Sequence, residues 1–246
     1  KVHPDVVHIC TPHYLHVPMA IEALKRGISV FCEKPPAISM EQFNELLDAK
    51  EKYRASVGFC FQNRYNKTTL EAKRLINDGE LGKVIGARAF VTWRRDADYY
   101  TTDWKGKLET EGGGALINQS IHTLDLIIQF LGKPTEVKAS IANHHLEGVI
   151  EVEDTVEAWL SFEGGKRACF YASTGYVSDA PVIIEIQCEK GRISIYEHTV
   201  TVYEDGKDPR IIGTMEATAP GKSYWGNGTF GRIQRTRRSQ RNQKRN

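Results

Sequence analysis

No stretch of the 246 residues holds the roughly 20 consecutive apolar side chains that a bilayer-spanning helix needs, and no secretory pattern opens the sequence. Cysteine is sparse and odd in number. The five (Cys10, Cys32, Cys60, Cys169, Cys188) stand far apart, each in an apolar, strand-like run. That excludes a disulfide framework and points to small buried hydrophobes in a reducing compartment, with cytoplasm as the expected location. Metal-ligand patterns are thin as well. His13 and His16 could share one helical turn, but no acidic or cysteine partner stands at matching spacing, so no metal site is expected. Acidic residues are missing altogether from 229–246, which carries seven basic ones. Removing those seven from the 33 basic residues leaves 26 against 31 acidic, a mildly acidic body with a basic tail.

What is present is an ordinary soluble composition, 40% apolar and 26% charged, with enough chain for one large domain or two modest ones. Short β-branched runs over 6–10, 28–32 and 56–61 alternate with helical spacing over 14–26, 40–53 and 67–77. Strand and helix alternating on short connections predict βαβ units and a parallel sheet, part of a doubly wound fold. After Gly82 the pattern changes. A strand over 83–93 leads to a polar, aromatic loop. Glu111-Gly112-Gly113-Gly114 then opens a long helix over 115–131. Strands follow over 135–142, 155–162, 167–173, 182–188, 192–196 and 199–203, with tight turns at Gly164-Gly165 and Lys190-Gly191. This predicts a mostly antiparallel sheet with one open face, which either packs on a partner or is solvated. The expected fold is therefore α/β plus α+β, divided at 1–80 and 81–228. The segment 229–246 is expected to be disordered.

The chemistry centres on Phe31-Cys32-Glu33-Lys34-Pro35-Pro36. The two prolines stop the strand, leaving Lys34 at its C-terminal end, where open α/β sheets put their ligands. Alone, this hexapeptide also suits a surface turn with a solvated ion pair. The triple glycine precedes a helix, so free backbone N–H groups are expected there. Asn118 and His122, four apart, share a helix face, with Asp125 on a neighbouring one. The helix by itself supports two readings equally: a proton-transfer site, or an amide–imidazole pair at a domain junction.

Taken together, Thr11-Pro12 with His16, Glu33-Lys34-Pro35, and Gly112-Gly113-Gly114 running through Asn118 to His122 occur in an order and spacing that resembles the glucose–fructose oxidoreductase/inositol dehydrogenase (Gfo/Idh/MocA) family. The resemblance covers nearly the whole chain and implies an oxidoreductase using NAD or NADP on a carbohydrate or polyol. It implies that Lys34 hydrogen-bonds the reacting oxygen, that His122 is the general acid/base and that Asn118 supports it. By the same resemblance Thr11, Pro12, His16, Glu33, Lys34, Pro35, Gln62, Asn63 and Arg64 line the cofactor crevice. Arg94, Tyr99, Tyr100 and Trp104, with Asn118, are expected as a sugar platform, although the loop could equally be clamped by its own aromatics. Homo-oligomerisation through the open sheet is expected. The rival expectation is a non-catalytic sugar-sensing or assembly protein using that same face.

Two departures from the family pattern stand out. Many members carry aspartate where this chain has Asn118, and an amide can orient a histidine without raising its pKa. The family's glycine-rich phosphate turn is also not in the sequence. The expectation is then a fragment of a longer dehydrogenase, short of about 60 residues at roughly 30 per βαβ unit, that binds dinucleotide poorly or not at all. The basic tail stands where the resemblance implies an amphipathic helix, which suggests a replaced or out-of-frame end. With no aromatics interleaved after Phe230, it argues against a nucleic-acid partner.

Overall fold

The structure, a computed structural model, describes residues 4–214. The basic segment 229–246 and the stretch 215–228 lie outside the described residues. Three parallel strands come first: β1 (Val6–Ile9), β2 (Ser29–Cys32) and β3 (Val57–Phe59), adjacent in that order. They are linked by α1 (His16–Leu24) and α2 (Met40–Tyr53), and the Ser39 hydroxyl caps α2 by accepting from Gln42 N at 3.2 Å. Right-handed crossovers running the same way across a sheet lay both helices on one face. Val7, Ile9, Val30, Cys32, Val57 and Phe59 accordingly pack with Val17, Leu24 and Leu46 in one core. Alternation sends His8, Cys10, Phe31 and Glu33 to the other side. This corrects one expectation: Cys10 is exposed, because its position faces away from α1 and α2, and Cys169 is half-buried.

The second unit is an eight-stranded sheet. Its strands are β4 (Val84–Thr92), β5 (Pro134–Ala142), β6 (Thr155–Phe162), β7 (Arg167–Ser173), β8 (Ile183–Cys188), β9 (Gly191–Tyr196), β10 (Thr199–Glu204) and β11 (Arg210–Thr214). The order is β11-β10-β9-β8-β4-β7-β6-β5, and only the β4–β7 pairing is parallel. The strand β11 is absent from the expected set: Arg-Ile-Ile-Gly-Thr has no apolar alternation, and as an edge strand it turns only Ile212 onto the core.

One face of this sheet is covered by α3 (Lys67–Asp78) and, beyond the short α4 (Leu108–Glu111), by α5 (Ile121–Leu131). Leu126, Ile127, Phe130 and Leu131 of α5 meet Ala89, Val91, Leu160, Phe170 and Ile186 of the strands. The helix α3 falls within the expected first domain, yet its Ala72 and Leu75 lie in this larger core. The single helix expected over 115–131 is also divided. Ala115–Ser120 form a π-helical turn before α5, since the Ser120 hydroxyl donates back to Ala115 O (2.8 Å) and Leu116 O (3.3 Å), widening the coil.

Candidate active site

Where β2 ends, Pro35 and Pro36 cannot extend the ladder, and the Lys34–Pro35 peptide is cis. Lys34 turns inward and is only 9% exposed. Its Nζ donates to the main-chain oxygen of Asn118 at 2.6 Å and to Asn118 Oδ1 at 3.2 Å. Burial pulls the Lys34 pKa down to about 8, while the charges of Glu33 and Glu111 oppose the fall. The Asn118 amide in turn donates from Nδ2 to Glu111 Oε1, and Gly106 N donates to Glu111 Oε2. Glu111 is 1% exposed, and burial raises its pKa. Its main-chain oxygen lies 2.9 Å from His13 Nδ1. Burial drives His13 down to about 4, and its ring packs on Trp104 with centroids 4.9 Å apart. Lys34 and His13 come from the first unit, Asn118 and Glu111 from the second, so the cluster is built across their junction.

His16 ties the ends of the first two strands together. Its ring nitrogens lie 2.8 Å from Thr11 O and 2.9 Å from Pro35 O, and His13 is likewise held by a carbonyl. The Thr11 hydroxyl oxygen is shielded from solvent without a hydrogen-bond partner. Glu33 pairs with His8 at 3.6 Å, and Cys60 Sγ donates to Gln62 Oε1 at 3.6 Å. In the first turn of α5, the buried His122 meets the edge of Phe61, centroids 5.8 Å apart. Phe61 also carries the Arg64 guanidinium 5.0 Å from its ring centre. That guanidinium is committed to Asp125, with Nε donating to Oδ2 at 2.7 Å, so Arg64 braces α5. Asn63 lines a small cavity with Thr123, Leu126 and His198 inside the second unit.

The triple glycine behaves differently from its expected role as a set of free N–H donors. Gly114 N and Leu116 N donate to the two carboxylate oxygens of Glu153, each at 2.9 Å, and Ala115 N donates to its main-chain oxygen. The opening of the helix is thus capped from within the chain. Gly112 has a left-handed backbone (φ 82°) that ends α4 against Ile38.

In the aromatic loop, Tyr99 and Tyr100 meet edge to face at 5.0 Å, and Gln119 Nε2 donates to Tyr99 Oη at 2.8 Å. The Arg94 side chain is 57% exposed beside Asp96, whereas Arg95, at 19%, lies over the rings of Trp93 and Tyr99. The inward arginine is therefore the neighbour of the expected one. Lys105 Nζ stands 3.6 Å from the Tyr99 ring centre. Sequence reasoning missed Glu111, Arg95, Lys105 and Glu153. The first was signalled by an acid directly before the glycines, and the last by the acidic run 151–154.

An oxidoreductase family's NAD-binding Rossmann fold matches residues 1–59, and the GFO/IDH/MocA C-terminal domain matches residues 69–194. The chain is 34% identical over 133 residues to D-glucoside 3-dehydrogenase of Escherichia coli (strain K12), covering 54% of this chain and 37% of that protein. It is 30% identical over 196 residues to 2,7-anhydro-N-acetylneuraminate hydratase of Mediterraneibacter gnavus, covering 78% of this chain and 51% of that one. A solved structure of levoglucosan dehydrogenase in complex with NADH and levoglucosan shares the fold, with a TM-score of 0.78 and 23% identity over 91% of this chain and 63% of that one. The WlbA dehydrogenase from Bordetella pertussis, in complex with NADH and UDP-GlcNAcA, gives a TM-score of 0.76 at 26% identity over 90% and 62%. The chain spans between 37% and 63% of the length of these four proteins.

Proposed function

The chain belongs to the Gfo/Idh/MocA oxidoreductase family, and on that premise we propose that it serves NAD(P)-dependent hydride transfer at a CH–OH carbon of a sugar or polyol. The observation carrying this reading is the buried Lys34 amine at a strand end, held by Asn118 one turn before His122. Sugar is favoured over a simple alcohol because the named relatives include a D-glucoside dehydrogenase and a levoglucosan dehydrogenase.

The strand ends suit a dinucleotide: the shielded, unpartnered Thr11 hydroxyl and the buried Lys34 amine lie at neighbouring strand ends, where doubly wound sheets bind nucleotides. Thr11, Pro12, Glu33, Lys34, Pro35 and Gln62 would hold the nicotinamide half, with His16 fixing the main chain beneath it. When bound, the nicotinamide supplies or accepts the hydride. Lys34 donates a hydrogen bond to the reacting oxygen and stabilises the charge that develops on it. His122 takes or returns the hydroxyl proton, and Asn118 holds Lys34 in place. Tyr99, Tyr100 and Trp104 offer ring faces to sugar C–H groups.

The test is reduction of NAD⁺ and NADP⁺ by the protein with aldoses, glycosides, anhydro-sugars and polyols. Lys34→Ala and His122→Ala should each lower kcat by about 10²–10⁴-fold. Unimpaired turnover in either variant refutes that residue's role, and no turnover by the full-length protein on any sugar or polyol refutes the function.

The outer face of the large sheet supports a homo-oligomer. Across the registered strands it presents Ser140, Glu157, Tyr171, Phe90, Ile183 and Tyr196 in one row, and Lys138, Trp159, Cys169, Arg88 and Glu185 in the next. Trp159 is 63% exposed. Eight strands at about 4.8 Å spacing and about 20 Å length give roughly 700 Å², close to the ~800 Å² per partner of a standard interface. A second copy meeting face to face is the occupant that fits. Among the described residues all five cysteines are free, as suits a cytoplasmic protein, and no helix is long and apolar enough to cross a membrane.

A further inference from the structure

We propose that Glu111 is a positioning residue that, by accepting hydrogen bonds at both carboxylate oxygens, fixes which way round the Asn118 amide stands and so presents an oxygen to Lys34. What each group is able to donate decides the orientation. Gly106 N–H is a donor only, and it occupies Glu111 Oε2. The remaining carboxylate oxygen accepts from Asn118, which must turn its NH₂ end that way. The other end of the amide, Oδ1, then faces Lys34 Nζ at 3.2 Å, and an ammonium has only donors to offer. Turning the amide round would set NH₂ against the ammonium and C=O against the carboxylate, two repulsive contacts in place of two bonds.

The chain of polarity therefore runs inward from both ends, with Gly106 donating to Glu111, Asn118 to Glu111 and Lys34 to Asn118. It lies out of water at both termini, with Glu111 1% and Lys34 9% exposed, so a mismatched donor has no solvent to turn to. A role confined to closing the end of α4 would need the Gly106 bond alone. The titratable groups facing Lys34 are Glu33 at its own strand end, Cys60 past β3, His13 in the turn after β1, and Glu111 from the second unit. Of these, Glu111 is the one that also reaches Lys34 through an intervening amide. The catalytic consequence rests on the reading of Lys34 as the group at the reacting oxygen; the positional claim does not.

The measurement is the NMR titration of the Lys34 side chain in the ligand-free protein, with thermal melting to confirm folding. The wild-type midpoint is expected at about 8. E111Q removes the charge and one acceptor, and should lower the midpoint by about one unit, a tenfold loss in the ammonium-to-amine ratio at a given pH. The transposed pair E111Q/N118D puts a carboxylate beside Lys34 and an amide beside Gly106, and should bring the midpoint back to the wild-type value or above it. An unshifted midpoint in folded E111Q, or a double variant no higher than E111Q, overturns the proposal. Should E111Q fail to fold, N118D is compared with E111Q/N118D. The single variant places two carboxylates together, so the double is expected to melt higher, and the reverse order overturns the proposal. Neither titration nor melting needs cofactor or substrate, so the result stands apart from the dehydrogenase reading. If that reading holds, E111Q should also lower kcat with little change in KM.

Discussion

Gly114 lies so close to the main-chain carbonyl of Glu153 that a Cβ on it would stand 2.0 Å from that oxygen. Neither partner is a flexible side chain, so the clash cannot be relieved without moving backbone. Gly114→Ala should destabilise the protein by about 3 kcal/mol or more, at the upper end for overpacking. Gly27, with positive φ but open space around it, should lose only about 1 kcal/mol on the same change. Urea unfolding of the two variants checks the order, and equal losses would contradict the close approach.

Lys34 titrates at about 8 when folded against 10.5 when free. Between those values the unfolded chain holds a proton that the folded chain has released, so stability should rise with pH across that window. The full rise is about 3 kcal/mol for a shift of this size. In Lys34→Met this contribution disappears. The difference between the two stability curves from pH 8 to 10.5 isolates it from the tyrosines, and parallel curves would show that Lys34 is not depressed.

His13 behaves in the same sense at the acid end. Its folded pKa of about 4 lies below the ordinary 6.5, so below pH 6.5 the unfolded chain gains a proton that the folded chain refuses. Stability should fall as pH drops from 6.5 to 4, by about 3 kcal/mol at most. His13→Gln keeps a donor for the Glu111 carbonyl and should flatten that slope relative to wild type. An unchanged slope would place the acid sensitivity elsewhere.

Self-association should depend on the outer sheet face. Trp159→Glu replaces the one aromatic side chain of its row, 63% exposed, with a charge without touching the core beneath, and is expected to weaken dimerisation by more than tenfold, about 1.4 kcal/mol. Sedimentation equilibrium reads this directly. A wild-type protein that stays monomeric at tens of micromolar would remove the oligomer from the proposal.

Much of the fold was legible because the periodicities are clean. The strands at 155–162 and 167–173 match Thr155–Phe162 and Arg167–Ser173, and Ser39 announces α2 by capping it. The family likewise followed from motifs whose spacing survives in sequence. What was not legible depended on partners distant along the chain. Glu153 takes the N–H of Gly114, the last of the triple glycine, from 39 residues away in sequence, and glycines there look the same whether a ligand or a neighbouring carbonyl demands them. Arg94 and Arg95 are chemically identical, and only the path of the loop over Trp93 decides which turns inward. Cys10 looked buried because its run is apolar, and exposure follows from which side the two crossover helices occupy.

The bonded quartet of His13, Lys34, Glu111 and Asn118 draws two members from each structural unit. Recombination between relatives that exchanged one unit and kept the other would preserve both folds while leaving a lysine or a carboxylate facing the wrong partner. Chimaeras of this family should therefore tolerate a crossover point between β3 and α3 only when the two parents carry the same residues at all four positions.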